Sequence, residues 1–176
     1  MIATKDSKFT NGVCSARKAA QELIRDQRVM VLATCEPAAP WCAPVYFVYT
    51  EAGFCFFSSP RSEHIRHIEA VSAAAASIFS DSGQWRQIRG LQMRGTVHKV
   101  DKIGERLKVT ARFIRKFPFT KDFLQGGPGA APELSRRVKL YSFLPSEVYL
   151  VDNSTAFGQR IPLEIDLLDA AAQNEE

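Results

Sequence analysis

The chain has 176 residues, 45% of them hydrophobic and 24% charged, the balance of a globular protein long enough for one domain with a sizeable core. Its formal net charge of +4 is modest and does not decide between nucleic acid and a small phosphorylated ligand as partner. No apolar run reaches bilayer-spanning length, and "MIATKDSKFTNG" lacks the charged-then-apolar order of a signal peptide, so a cytoplasmic protein without membrane contact is expected.

In chain order, "SARKAAQELIRDQ" sets Ala19, Leu23 and Ile24 at helical spacing, with Ser15 as the expected N-cap. Next come "VMVLATC", "WCAPVYFVY" (41–49) and "FCFFS" (54–58). They are rich in aromatic and β-branched residues, are separated by the turns "EPAAP" and "TEAG", and read as three antiparallel strands in a meander. "PRSEHIRHIEAV" follows as a helix with Pro60 at its first position and Ile65, Ile68 and Val71 on one side. "AAAASIFS" reads as a strand of small residues over which something bulky can pack. "RQIRGLQMRGTVHKV" is a long strand in which Gly90 and Gly95 predict a bulge or a close backbone approach.

"DKIGERLKVTARFIRKF" predicts an amphipathic helix capped by Asp101, its apolar face formed by Ile103, Leu107, Thr110 or Ala111, Ile114 and Phe117. "QGGPGAAP" (125–132) has the composition of a mobile loop. "VKLYSFL" and "EVYLVD" read as two short strands divided by Pro145, then a polar turn "NSTAFGQR" and a last strand "IPLEI". The expected domain spans 1–168, with 169–176 a disordered acidic tail. This order of elements predicts a mainly β protein, an antiparallel barrel of about six strands with peripheral helices. Three leading strands argue against a doubly wound sheet.

Chemistry-bearing residues are sparse. Cys14, Cys35, Cys42 and Cys55 form no CxxC pair, three lie in strand-like runs, and all are expected as small buried thiols. His64 and His67 are three apart on a helix, but His98 is the remaining histidine, so no metal site is expected. No nucleophile elbow, Walker loop or dinucleotide fingerprint occurs. "RFIRKFPF" interleaves basic and aromatic residues as nucleic-acid binders do, yet its helical spacing is that of an ordinary amphipathic helix, and no nucleic-acid partner is expected. Trp41 and Trp85 are expected to pack at a barrel end or an interface.

The junction "FCFFSSPRSEHIRHIE" (54–69) holds the clearest chemistry. Ser58 and Ser59 end a strand and Ser62 lies in the first turn of the next helix, with Arg61 and His64 close by. Hydroxyls beside free helix N-terminal amides can cradle an anion. The alternative is that Ser59 is only an N-cap.

From "APVYFVYTEAGFCFFSSPRSEHIRHIEAVSAAAASIF" and "RQIRGLQMRGTV" the chain resembles the FMN-binding split barrel of the pyridoxamine 5′-phosphate oxidase-like superfamily, most closely over 29–100. "YSFLPSEVYLVDNSTAFGQR" resembles its YhbP-like branch. The resemblance implies a six-stranded FMN-binding split barrel and a homodimer with the flavin at the interface. It implies that Cys42, Ala43, Pro44, Val45, Tyr46 and Phe47 pass along the isoalloxazine ring. Phe57, Ser58 and Ser59 would reach the ribityl and phosphate end, and Arg61, Ser62 and His64 the phosphate. His64 and Glu63 stand where the family has Lys and Arg, and Arg61 or Arg89 is the candidate replacement cation. Gln92 is the expected polar side chain near the ring, with Arg89 and Gly90 as alternatives. Asn153, Phe157 and Arg160 would come from the second subunit, or form only a tight polar turn. The implied function is that of an FMN-dependent oxidoreductase acting on a small molecule, with NAD(P)H as candidate donor and no assigned catalytic residue. The alternative is a non-catalytic flavin or haem binding module.

Overall fold

The computed structural model describes residues 6–36 (backbone alone for 6–13), 39–121, 124, 138–155 and 157–165. Its elements are α1 Asp6–Asp26, β1 Val29–Glu36, β2 Ala39–Tyr46, β3 Val48–Thr50, β4 Gly53–Ser58, α2 Glu63–Ala70, β5 Ala73–Phe79, β6 Arg89–Lys99, α3 Ile103–Lys116, β7 Lys139–Asp152 and β8 Arg160–Leu163. The eight strands form one curled antiparallel sheet, a split barrel, in the order β2-β1-β5-β6-β7-β4-β3, with β8 also on β7.

The strands number eight against the barrel of about six expected, and two of the expected boundaries fall elsewhere. "WCAPVYFVY" is two strands, because the chain turns at Phe47: β2 pairs with β1 and β3 pairs with β4. The leading strands are therefore not a simple meander. "VKLYSFL" and "EVYLVD" are instead one 14-residue strand, β7.

Alternation decides which face of the sheet is core. The register Ala43–Leu32–Ala76–Met93–Val148–Leu163 crosses six strands, and all six side chains are buried. The adjacent register Pro44–Val31–Ser77–Gln92–Tyr149–Pro162 is exposed or half-buried throughout. Inside the barrel Phe47, Phe54, Phe56, Ile65 and Phe143 form the main core with Ala20, Leu23 and Ile24 of α1. A second cluster lies on the other face of β3 and β4, where Val109, Phe113 and Phe117 meet Val48, Cys55 and Leu140.

The two glycines in β6 behave as expected. The β6–β7 register shifts between Arg94 and Gly95, because Gly95 pairs with Pro145 and Arg94 with Glu147. Ser146 is the extra residue of this bulge, and its hydroxyl donates to the Arg94 carbonyl at 3.3 Å. A Cβ on Gly95 would overlap the Leu144 carbonyl oxygen. One on Gly90 would sit 3.0 Å from the Ile78 carbonyl oxygen. Pro145, read as a strand break, is tolerated at this bulge because proline costs a ladder bond only where its missing N–H would have paired.

The helices depart from expectation at their ends and on one face. Ser15 lies inside α1, exposed, since the helix begins at Asp6. Ser62 stands at the N-cap position of α2 without a side-chain cap bond, leaving Pro60 in the preceding turn, and Val71 is its exposed C-cap. Lys102, not Asp101, is the N-cap of α3. On α3 the buried residues are Val109 and Phe113, with Phe117 just beyond the helix, while Ile103 and Leu107 are 76% and 67% exposed. The cysteines also divide: only Cys55 is buried, and burial raises its thiol pKa, whereas Cys14, Cys35 and Cys42 are exposed and all four are unpaired. The expected loop 125–132 and tail 169–176 lie outside the described residues. No helix among the described residues is long and apolar enough to cross a membrane.

Gly95→Ala is expected to destabilise by about 2–3 kcal/mol, because the new methyl meets backbone that cannot yield. Gly104→Ala, in open space near the start of α3, should be neutral or stabilising by about 0.5–1 kcal/mol. Urea midpoints of the two variants check the contrast.

Candidate anion and cofactor site

Ser58, the last residue of β4, and Ser62 and His64, at the start of α2, converge. Ser58 Oγ lies 2.7 Å from His64 Nε2 and 3.1 Å from Ser62 Oγ, which is itself 3.2 Å from His64 Nε2. The Ser62 hydroxyl donates to the Ser59 carbonyl at 2.8 Å, so it does not cap the helix, and no side chain does. A hydroxyl has one proton. With the Ser62 proton on Ser59, the consistent order runs His64 Nε2–H to Ser58, Ser58 O–H to Ser62, and Ser62 O–H to the Ser59 carbonyl. Ser59 also accepts the Arg61 amide at 3.2 Å. The Ile65 amide donates to the Ser62 carbonyl at 3.1 Å, while no side chain caps the Glu63 and His64 amides beside the two hydroxyls, an arrangement that suits an anion.

His64 is buried, and burial, helped by the nearby His67, lowers its pKa below the ordinary value. It is a neutral donor at neutral pH, not a standing cation. Glu63, the other departure from the family pattern, turns away: Arg66 Nη1 donates to its Oε2 at 3.0 Å, and its Oε1 faces His67 Nε2 at 3.4 Å. Its charge is matched outside the cluster. Cations near the junction are Arg61, which is exposed, and Lys139, which pairs with Ser58 across the β4–β7 ladder and leaves the sheet on the same face. Lys139 lies 75 or more residues beyond the junction in sequence, and only strand register could have revealed it.

A second buried pair fixes α2. His67 Nδ1 and Thr34 Oγ1 of β1 are hydrogen-bonded at 3.2 Å, both residues at most 4% exposed. Thr34 pairs with Trp41 of β2, so the junction and the start of β2 share one end of the barrel. Sequence reading weighed His67 only as a metal ligand, and no metal-binding group of three or more donors occurs among the described residues.

The remaining predicted residues lie in two other places. Along β2, Cys42, Pro44 and Tyr46 face outward while Ala43, Val45 and Phe47 enter the core. Tyr46 packs edge-on to Phe117 and Phe119 at 5.1 and 5.5 Å between centroids. Phe57 likewise packs on Phe113. Gln92 shares the outward face with Pro44, three strand spacings away, or about 14 Å. Arg89, Asn153, Phe157 and Arg160 gather at the far end of the β6–β7 ladder, away from the junction. Arg89 pairs with Glu22 of α1 at 3.3 Å, so within one chain it does not supply the junction with charge. Asn153 donates to the Trp85 carbonyl at 3.0 Å and accepts from the Gly158 amide at 3.3 Å, as a tight polar turn requires. Phe157 stacks edge-on against Trp85 at 5.5 Å, both exposed.

A family model described as "Pyridoxamine 5'-phosphate oxidase" matches residues 16–151. The chain is 25% identical over 138 residues to the UPF0306 protein plu4501 of Photorhabdus laumondii, a match covering 77% of this chain and 86% of that protein. Among solved structures, the heme binding protein of Mycobacterium smegmatis superposes with a TM-score of 0.68 at 15% identity, over 88% of this chain and 60% of that one. An FAD-binding protein of Mesorhizobium loti gives 0.58 at 21% identity, over 74% of this chain and 90% of that one. These likenesses establish the fold.

Since burial lowers the His64 pKa, the unfolded chain takes the proton more readily, and stability is lost as pH falls below the ordinary value of 6.5. Urea midpoints should therefore drop between about pH 7.5 and about pH 5.5, and His64→Asn should shrink that drop.

Proposed function

The chain belongs to the pyridoxamine 5′-phosphate oxidase family, and on that premise we propose that it is an FMN-binding protein. It holds the flavin phosphate at the Ser58–His64 junction and acts as a homodimeric oxidoreductase on a small molecule. The observation that carries the reading is the convergence of Ser58, Ser62 and His64 at an uncapped helix start, with Lys139 across the ladder.

The residues present fit a phosphate monoester. A bound phosphate takes the Ser62 proton in place of the Ser59 carbonyl, while the α2 amides and His64 Nε2–H donate and Lys139 and Arg61 supply charge. Lys139 fills the electrostatic role left open by a neutral His64. FMN, when bound, supplies hydride and single-electron chemistry. The chain's own task is to orient it: the outward backbone of Cys42, Pro44 and Tyr46 flanks the ring, and Gln92 offers a hydrogen bond on the same face. Among the outward side chains of β1, β2 and β5, Val31, Ala33, Cys42, Pro44 and Ala75 are small and exposed or half-buried, and Tyr46 and Phe79 are large and exposed, a surface suited to a second copy. That copy would bring its Asn153, Phe157 and Arg160 turn to the flavin, and NAD(P)H is the candidate donor.

A binding module without turnover is the second reading. It is favoured by the closed hydroxyl chain from Ser58 through Ser62 to Ser59, which an incoming phosphate must open at some cost in affinity. Such a module could hold flavin or haem. Of the three histidines only His98 is exposed, its Nε2 2.9 Å from Thr96 Oγ1, and a haem iron would find its imidazole there.

Titration of the purified chain with FMN tests the assignment. Ser62→Ala with His64→Ala, and separately Lys139→Ala, should each weaken binding about tenfold or more while leaving the fold intact. Unchanged affinity in both would mean that the phosphate sits elsewhere, and no uptake of FMN would remove the flavin reading. Bleaching of the bound flavin by NADH or NADPH would mark an oxidoreductase, whereas a Soret shift on adding haemin, lost in His98→Ala, would mark the haem module.

A further inference from the structure

Helix α3 carries two apolar faces, and the barrel uses only one. Val109 and Phe113, with Phe117 just beyond the helix, pack into the second core cluster. Ile103, Leu107, Thr110 and Ile114 recur at helical spacing on a different side, and Ile103 and Leu107 stand in solvent. Ile103, Leu107 and Thr110 line a shallow groove with Arg106, Ala111 and Leu124. Phe119, just past the helix, is 66% exposed and packs edge-on against Tyr46 and Phe117.

Charge is concentrated here as well. Residues 102–121 hold seven Lys or Arg against one Glu, a net +6 in a chain whose total is +4. At about 100° per residue, Arg106 flanks the exposed stripe on one side, with Lys108 and Arg115 on the other. All three are exposed and make no ion pair among the described residues.

We propose that α3 docks on an anionic phospholipid surface, its Ile103–Leu107 stripe entering the headgroup boundary while Arg106, Lys108 and Arg115 meet the lipid phosphates. An apolar stripe with long cationic side chains on both flanks is the pattern of a helix lying in a membrane interface. A nucleic-acid surface has no use for exposed Ile and Leu, because its phosphates reward cations alone. A second copy of the chain would bring the same exposed cations, Arg106, Lys108 and Arg115, against this face, which charge opposes. The contact is peripheral and leaves the Ser58–His64 junction, on other elements, open.

Co-sedimentation of the full chain with vesicles of phosphatidylcholine, or of phosphatidylcholine mixed with phosphatidylglycerol, tests the proposal. Binding is expected to the anionic vesicles only and to weaken with salt. Ile103→Ser with Leu107→Ser should reduce it at least tenfold, or about that, at unchanged Tm, since neither side chain is in a core. Lys108→Gln with Arg115→Gln should reduce it about 30-fold, from about a fivefold loss per cation. Failure to bind either vesicle, or equal binding to both, overturns the proposal. So does binding indifferent to the Ile103 and Leu107 changes, retardation of duplex DNA or RNA by the same cations, or a change of oligomeric state in the Ile103–Leu107 variant.

Discussion

The ladder between β6 and β7, bent at a single point, is the constraint on which the rest of the molecule depends. A straight strand of 14 residues would run about 45 Å, longer than a chain of this size can cover with a core. The bend comes where the Leu144 carbonyl occupies the space a side chain at 95 would need, with Ser146 as the looped-out residue. Beyond it β7 changes partner on its other edge, from β4 before the bulge to β8 after it. One strand with three partners curls the sheet into a split barrel, and the core row from Ala43 to Leu163 follows from that curvature.

The candidate site inherits its geometry from the same ladder. β4 ends at Ser58 opposite Lys139, and the chain turns there into α2, which the buried His67–Thr34 hydrogen bond and the apolar Ile65 and Ile68 hold against the barrel. With the helix fixed on two sides, His64 has one place to point: back at Ser58. Burial then keeps its imidazole neutral, while Arg66 takes up the charge of Glu63. The cluster combines donors without a standing charge of its own, and charge comes from Lys139 and Arg61 at its edge.

Helix α3 shows how a strong local pattern can serve two purposes. Its apolar residues cover more than half of the helix circumference, yet the barrel offers one contact surface, formed by Val48, Cys55 and Leu140. The half that packs is the one carrying Val109 and Phe113. The half left in solvent has the more regular repeat and is flanked by the exposed cations Arg106, Lys108 and Arg115.

Local pattern alone made the mainly β class, most of the strand segments, the α2 and β5 succession and the special positions Gly90 and Gly95 legible, because period-2 alternation and glycine's missing Cβ act within a few residues. It also singled out Ser58, Ser62 and His64, since a strand end followed by a polar first turn is written in contiguous sequence. What it could not supply was partnership. That "WCAPVYFVY" divides at Phe47 and that Pro145 sits inside one strand are matters of which edges pair across the sheet. Lys139 joins Ser58 only through the β4–β7 register, and His67 finds Thr34 only because α2 lies on β1. The exposed Ile103 and Leu107 make the same point from the other direction: periodicity establishes that a helix has an apolar face, and only the shape of the barrel beside it decides which face is covered.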